Sequence, residues 1–182
     1  GAVIDKISKK LGIPLQDMSK LRYSGIRLHA VAGKCGVFAE TDINSLQKQG
    51  IPPDELMASL FEAFVLQNLK VLARGHTLLP HVLLLGGPNA FIPGMREAWQ
   101  HNIAQMWEER GIGIPAGTTP EQLIRAPQDA EYFGALGAAE FGKEEEVEVG
   151  RYLGLSRLEN LKAGRLEGRN RGGQGMPALA GS

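Results

Sequence analysis

Apolar residues recur at three- and four-residue steps along most of this chain, and the points where that rhythm breaks mark its elements. Val3, Ile4, Ile7 and Leu11 share one helical face, with Lys6, Lys9 and Lys10 elsewhere and Gly12 placed as a stop. After Pro14, the spacing of Leu15, Met18 and Leu21 predicts a further helical turn or two, closed by Ser24-Gly25. Ile26, Leu28 and Ala30 then alternate with Arg27 and His29, which predicts a brief strand or extended segment. Thr41 or Asp42 is expected to cap a helix running to Gly50. Pro52-Pro53-Asp54 opens the longest helix, because proline suits the first helical turn. That helix carries Met57, Leu60, Phe61, Phe64, Val65, Leu69 and Leu72 as a stripe wide enough to pack on a sheet, with Gly75 as its stop.

From His81 to Leu85 the run is continuously apolar and ends in Gly86-Gly87, the pattern of a central strand buried on both faces. The next helix places Ile92, Met95, Trp99, Ile103 and Met106 on one side and ends near Arg110-Gly111, before a short strand at Ile112-Gly113-Ile114. Residues 117–130 read as loop, and Tyr132 to Phe141 as a small-residue helix whose glycines permit close backbone approach. An acidic stretch, Glu144-Glu145-Glu146, leads to a tail rich in glycine and arginine, read as a linker or disordered segment. The order strand, loop, helix, strand defines an α/β protein, with helices packed on a small mixed sheet.

The 182 residues, 43% hydrophobic and 22% charged, are enough for one sizeable core. Twenty basic and twenty acidic side chains cancel, so bulk charge holds neither nucleic acid nor an anionic membrane. No apolar run approaches the roughly 20 residues that span a bilayer, and a cytoplasmic location is expected. A first residue of glycine reads as the cut end of a longer protein.

The chemistry centres on Gly86-Gly87-Pro88-Asn89, where two glycines between a strand and a helix let a ligand press against bare backbone. There is no Gly-Lys-Ser/Thr for a P-loop and no G-x-G-x-x-G after the strand. A tight strand-to-helix turn would account for the glycines equally well. Cys35 is the one cysteine and forms no internal disulfide; alone it reads as a small buried hydrophobe. His29, His76, His81 and His101 lack the spacing of a zinc site and read as structural or solvent-facing. Glu40 and Asp42 read as caps or helix-dipole partners rather than an acid-base pair.

Taken in order, Lys34-Cys35-Gly36-Val37-Phe38-Ala39-Glu40-Thr41-Asp42, the Gly86 to Asn89 loop, and Tyr132-Phe133-Gly134-Ala135-Leu136-Gly137-Ala138-Ala139 resemble the activator ATPases of 2-hydroxyacyl-CoA dehydratases and benzoyl-CoA reductases. The resemblance covers about residues 3 to 142 and is nearest to the large multidomain CoA-activase-like type. It implies the C-terminal ribonuclease-H-like lobe of an actin-like ATPase domain over residues 1–142, with residues 143–182 as tail. It also implies that Gly86, Gly87, Pro88 and Asn89 approach the adenosine of Mg-ATP or ADP, and that Gly134 and Gly137 shape or support the pocket. Cys35 matches a ligand of a 4Fe-4S cluster shared across a homodimer. The Cys-x-x-Gly segment and the aspartate-glycine phosphate loops of the family are absent here, so no residue is assigned as catalytic and this piece alone is expected to hold no cluster. The intact parent would couple ATP hydrolysis to electron transfer toward a dehydratase or reductase partner. Two alternatives share the fold: a non-catalytic docking or scaffold domain, and a sugar- or acyl-kinase relative.

Overall fold

The computed structural model describes residues 1–74, 76–144, 155, 156 and 159. Gly75, Glu145, Glu146 and nearly all of the glycine- and arginine-rich tail lie outside the described residues. Gly1–Ala139 form one compact unit and Glu140–Ser182 a second.

Helix α1 (Ala2–Lys10) buries Ile4 and Ile7, as its apolar face requires. A 3-10 helix follows at Leu15–Lys20 with Met18 buried. Residues 26 to 30 join no strand; backbone N–H groups nearby are tied instead to side chains of the helices, His29 to Ser59 Oγ at 2.8 Å and Ala32 to Asp42 Oδ2 at 2.8 Å. Helix α2 (Gly36–Lys48) begins five residues before Thr41, with Cys35 at its N-cap position. Thr41 therefore bonds back to the Val37 carbonyl at 3.0 Å within the helix, and Asp42 anchors the preceding segment rather than capping its own helix. Helix α3 (Pro53–Leu72) starts at its proline as expected.

The sheet is smaller than the sequence implies. Strand β1 is Val82–Leu83 alone, with Leu83 49% and Leu85 44% exposed and only Leu84 fully covered. Its partner is not Ile112-Gly113-Ile114 but β2 (Ile124–Arg125), inside the segment read as loop, and the pairing is parallel rather than mixed. A continuous apolar run requires two covered faces, and this two-stranded sheet supplies cover on one. Between the strands, α4 (Gly87–Phe91) and α5 (Pro93–Glu109) replace the single expected helix, the break falling at Ile92, whose φ is −111° before a proline that excludes helical backbone. The short α6 (Pro120–Leu123) leads into β2, and α7 (Phe133–Glu144) ends the described helices.

The core lies where α3 packs on α5, with α2 also packed on α3. Leu56, Met57, Leu60, Phe61, Ile103 and Trp107 are fully buried there. Trp107 can sit inside because its indole N–H donates to the Leu78 carbonyl at 2.6 Å. Three helices end the same way: Gly12, Gly50 and Gly111 have φ of 72°, 82° and 64°. The isoleucine after each donates its N–H back to Ser8, Leu46 or Trp107 at 2.9, 3.2 and 2.8 Å. This is the Schellman stop, and Ile13, Ile51 and Ile112 each fold back onto the core.

Candidate functional site

Gly86 leaves β1 with φ of 91° and ψ of 159°, a conformation closed to residues with a Cβ. Its N–H donates to the Ala130 carbonyl at 2.9 Å, which ties the loop to the chain beyond β2. Asn89 Nδ2 donates to the Leu85 carbonyl at 2.8 Å, and the Arg96 guanidinium donates to the Asn89 and Ala90 carbonyls, each at 2.9 Å. The loop is thus fixed at both ends while its outer surface stays open: a Cβ at Gly87 would meet only Phe91, at 3.9 Å, and one at Gly86 would meet nothing within 4 Å.

Ligands of parallel α/β sheets sit outside the carboxyl ends of the strands. At the carboxyl end of β2, Arg125 borders a cavity of about 490 Å³ lined also by Phe91, Arg96, Gln100, Asp129 and Glu131, and Gly86, Gly87, Pro88 and Asn89 are not in its lining. Gln100 Nε2 bonds the Ile124 carbonyl at 2.9 Å, so α5 and β2 hold one wall together. Arginine, amide and two carboxylates around an opening of that size suit a small polar ligand. Arg125 escapes sequence reasoning because its segment reads as loop, and Arg96 because a helical arginine reads as solvated; no local pattern marks either.

The other site residues named from the sequence share no described cavity with this loop. Gly134 and Gly137 are exposed on α7, and a Cβ at either would meet nothing within 4 Å. Cys35 lines a different cavity, of about 480 Å³, with Val31, Phe38, Ala63, Leu66 and Lys70. Its thiol is one of the four that a cluster typically takes, and among the described residues no three His, Cys, Asp or Glu side chains come together as a metal site. The chain's own donors do not fit a 4Fe-4S cluster. Glu40, one turn inside α2, accepts from Lys6 at 2.6 Å and Lys10 at 3.2 Å, joining α1 to α2. The hydrogen bonds from these lysines hold its carboxyl below the ordinary range. The His29 ring is 2.6 Å from Glu55, and His101 packs on Tyr23 with ring centroids 5.6 Å apart.

A second polar cluster joins elements rather than facing a ligand. Glu62 Oε2 accepts from Tyr23 Oη at 2.9 Å and from Asn102 Nδ2 at 2.6 Å. Burial, then the Glu62 carboxylate, push the Tyr23 phenol well above its ordinary range, so it stays a donor. Among the described residues, no helix is long and apolar enough to cross a membrane.

No family model matches the chain. It is 27% identical over 143 residues to an uncharacterized protein, YjiL, of Escherichia coli, covering 79% of this chain and 48% of that protein. Its structure is similar to the activator of the 2-hydroxyisocaproyl-CoA dehydratase from Clostridium difficile with bound ADPNP, with a TM-score of 0.57 and 20% identity over 85% of this chain and 52% of the activator. The chain therefore spans about half the length of the relatives it matches, and over that half it has the fold of the activator.

Proposed function

We propose that this chain is the adenosine-contacting lobe of an ATP-binding activase of the dehydratase-activator kind. The observation that carries the reading is the Gly86 to Asn89 loop, open-surfaced and beside the carboxyl ends of two parallel strands, in a fold similar to that of an activator solved with ADPNP. Gly87 gives the adenosine access to backbone, Arg96 keeps the loop in shape, and Arg125 offers a planar cation to the ligand. Gly134 and Gly137 leave the α7 surface clear for the rest of the pocket. Residues 1–142 form this lobe and 143–182 the tail.

In the longer parent, nucleotide turnover would serve a 2-hydroxyacyl-CoA dehydratase or benzoyl-CoA reductase-like component, in the cytoplasm and as a homodimer. Magnesium would neutralise phosphate charge there, held by loops outside this chain. Since Cys35 alone does not fit a 4Fe-4S cluster, no step is assigned to one.

Nuclear magnetic resonance titration with ADP and ATP tests the reading. Amide shifts should move at Gly86, Gly87 and Asn89 and at Arg125. Gly87→Val should weaken binding at least about tenfold, near 1.4 kcal/mol, with the unfolding midpoint unchanged. A titration that leaves those amides still at millimolar nucleotide would sink the assignment.

A further inference from the structure

From Arg22 to Lys34 the chain forms neither helix nor strand, only a turn at Ser24-Gly25, and it leads into Cys35 at the start of α2. Its N–H groups have no ladder to join, so the helices satisfy them with side chains. On α5, Glu97 accepts from the Tyr23 and Ser24 N–H groups at 2.8 and 3.0 Å and from the Arg22 guanidinium at 3.0 Å. On α3, Ser59 Oγ accepts from the His29 N–H at 2.8 Å, the His29 ring lies 2.6 Å from Glu55, and Glu62 accepts from Tyr23 Oη at 2.9 Å. On α2, Asp42 accepts from the Ala32 N–H at 2.8 Å. Apart from Tyr23, no residue from 22 to 34 is fully buried.

The two ends of this segment are held differently. At one end the Leu21 carbonyl accepts from the Gly94 N–H at 2.9 Å, and a Cβ at Gly94 would lie 2.8 Å from the Arg22 carbonyl carbon. At the other, a Cβ at Gly33 would lie 2.3 Å from the Ala63 carbonyl oxygen. Backbone presses on backbone at both ends, a fit that glycine alone permits. Between them the attachments are side chains on rotatable stems. A segment with little buried apolar surface belongs to the low-stability end of a fold. Beneath it, Glu55, Ser59 and Glu62 share one face of α3 at i, i+4 and i+7, and Asn102 Nδ2 reaches Glu62 from α5 at 2.6 Å. Once the segment lifts, water can take the places of Tyr23 and His29 on these carboxylates, and the apolar surface uncovered is chiefly that of Tyr23.

We propose that residues 22–32 form a latched strap, which lifts as one unit between its glycine-seated ends while α2, α3 and α5 stay folded. Glu97, Glu62, Glu55, Ser59 and Asp42 are its latches. They act together because they hold one continuous stretch of chain, and a stretch freed at one latch no longer presents its neighbours to the next. Lifting uncovers the Glu55, Ser59 and Glu62 face of α3, and the motion reaches Cys35, three residues beyond Ala32. The strap needs no nucleotide and is independent of the adenosine reading.

Native-state hydrogen exchange at a single pH, in low concentrations of denaturant, tests it. The amides of Tyr23, Ser24, His29 and Ala32 should share one opening equilibrium and exchange at least about 100-fold faster than those of Phe61 and Ile103 in the core. Glu97→Ala should speed exchange at His29 and Ala32, which Glu97 does not bond, by about tenfold, as loss of a hydrogen bond to a charged group does. Asp42→Ala should do the same at Tyr23 and Ser24. The Gly94 amide, at the fixed end, should keep its protection in both variants. Variants that speed only their own bonded amides overturn the proposal, because the latches would then act singly. So does a wild type in which the strap amides exchange only together with the core. If one variant fails to fold, the other variant and the wild-type grouping still decide.

Discussion

Glycine does three different jobs here, and single substitutions separate them. Gly33 is a packing position: a Cβ there would lie 2.3 Å from the Ala63 carbonyl oxygen of α3, a backbone atom that cannot step aside. Gly33→Ala should cost about 1–3 kcal/mol as overpacking does, measured by denaturant unfolding. Gly87→Ala, in open space, should stay within about 0.5 kcal/mol of the parent. Glu97 is the carboxylate to watch with pH. Burial opposes its ionisation, but the N–H groups of Tyr23 and Ser24 at 2.8 and 3.0 Å and the Arg22 guanidinium at 3.0 Å outweigh burial and lower its pKa. Because the folded value lies below the ordinary 4.5, this stabilisation is complete above that pH and is lost as pH falls through the lowered folded value. Thermal melts between neutral pH and pH about 3 should show a shallower acid decline for Glu97→Gln than for the wild type.

At the scale of elements, the helices were legible because their information is local. The faces of α1, α3 and α5 follow three- and four-residue steps, and the Gly-Ile ends of α1, α2 and α5 need only a residue that tolerates positive φ followed by one that returns to the core. Gly50→Ala should therefore cost about 1 kcal/mol from the left-handed penalty, and Gly50→Asn less, as read from unfolding midpoints. The start of α2 was misplaced because Thr41 and Asp42 look like caps in sequence, while the helix begins at Gly36 with no side-chain cap bond. Strands were the weak point. The apolar run at 81–85 and the alternation at 26–30 both resemble strands, but pairing depends on what lies alongside, and among the described residues only Ile124–Arg125 pairs with β1.

For the whole molecule, the apolar surface left over is the informative quantity. Leu83, Leu85 and Phe91 are exposed around the loop, and Val37, Phe38 and Leu66 around Cys35, two patches on a chain covering half its relatives' length. Residues 1–182 should bind a dye such as anilinonaphthalene sulfonate appreciably; fluorescence no higher than that of the dye in buffer would mean that these surfaces are covered. Cys35→Ser should shift the unfolding free energy of residues 1–182 by no more than about 0.5 kcal/mol, because its half-buried thiol has no disulfide or metal partner among the described residues.

The chain's own order of residues determined its helical faces, the glycine stops and the Gly86 to Asn89 loop, since each is written within a few neighbouring positions. Only the tertiary structure decided that Ile124–Arg125 pairs with β1, that Arg96, Arg125, Asp129 and Glu131 share one cavity, and that Cys35 stands at the start of α2. Those outcomes join residues tens of positions apart, and pairing at that distance is set by competition among whole elements for the same core, which no local pattern records.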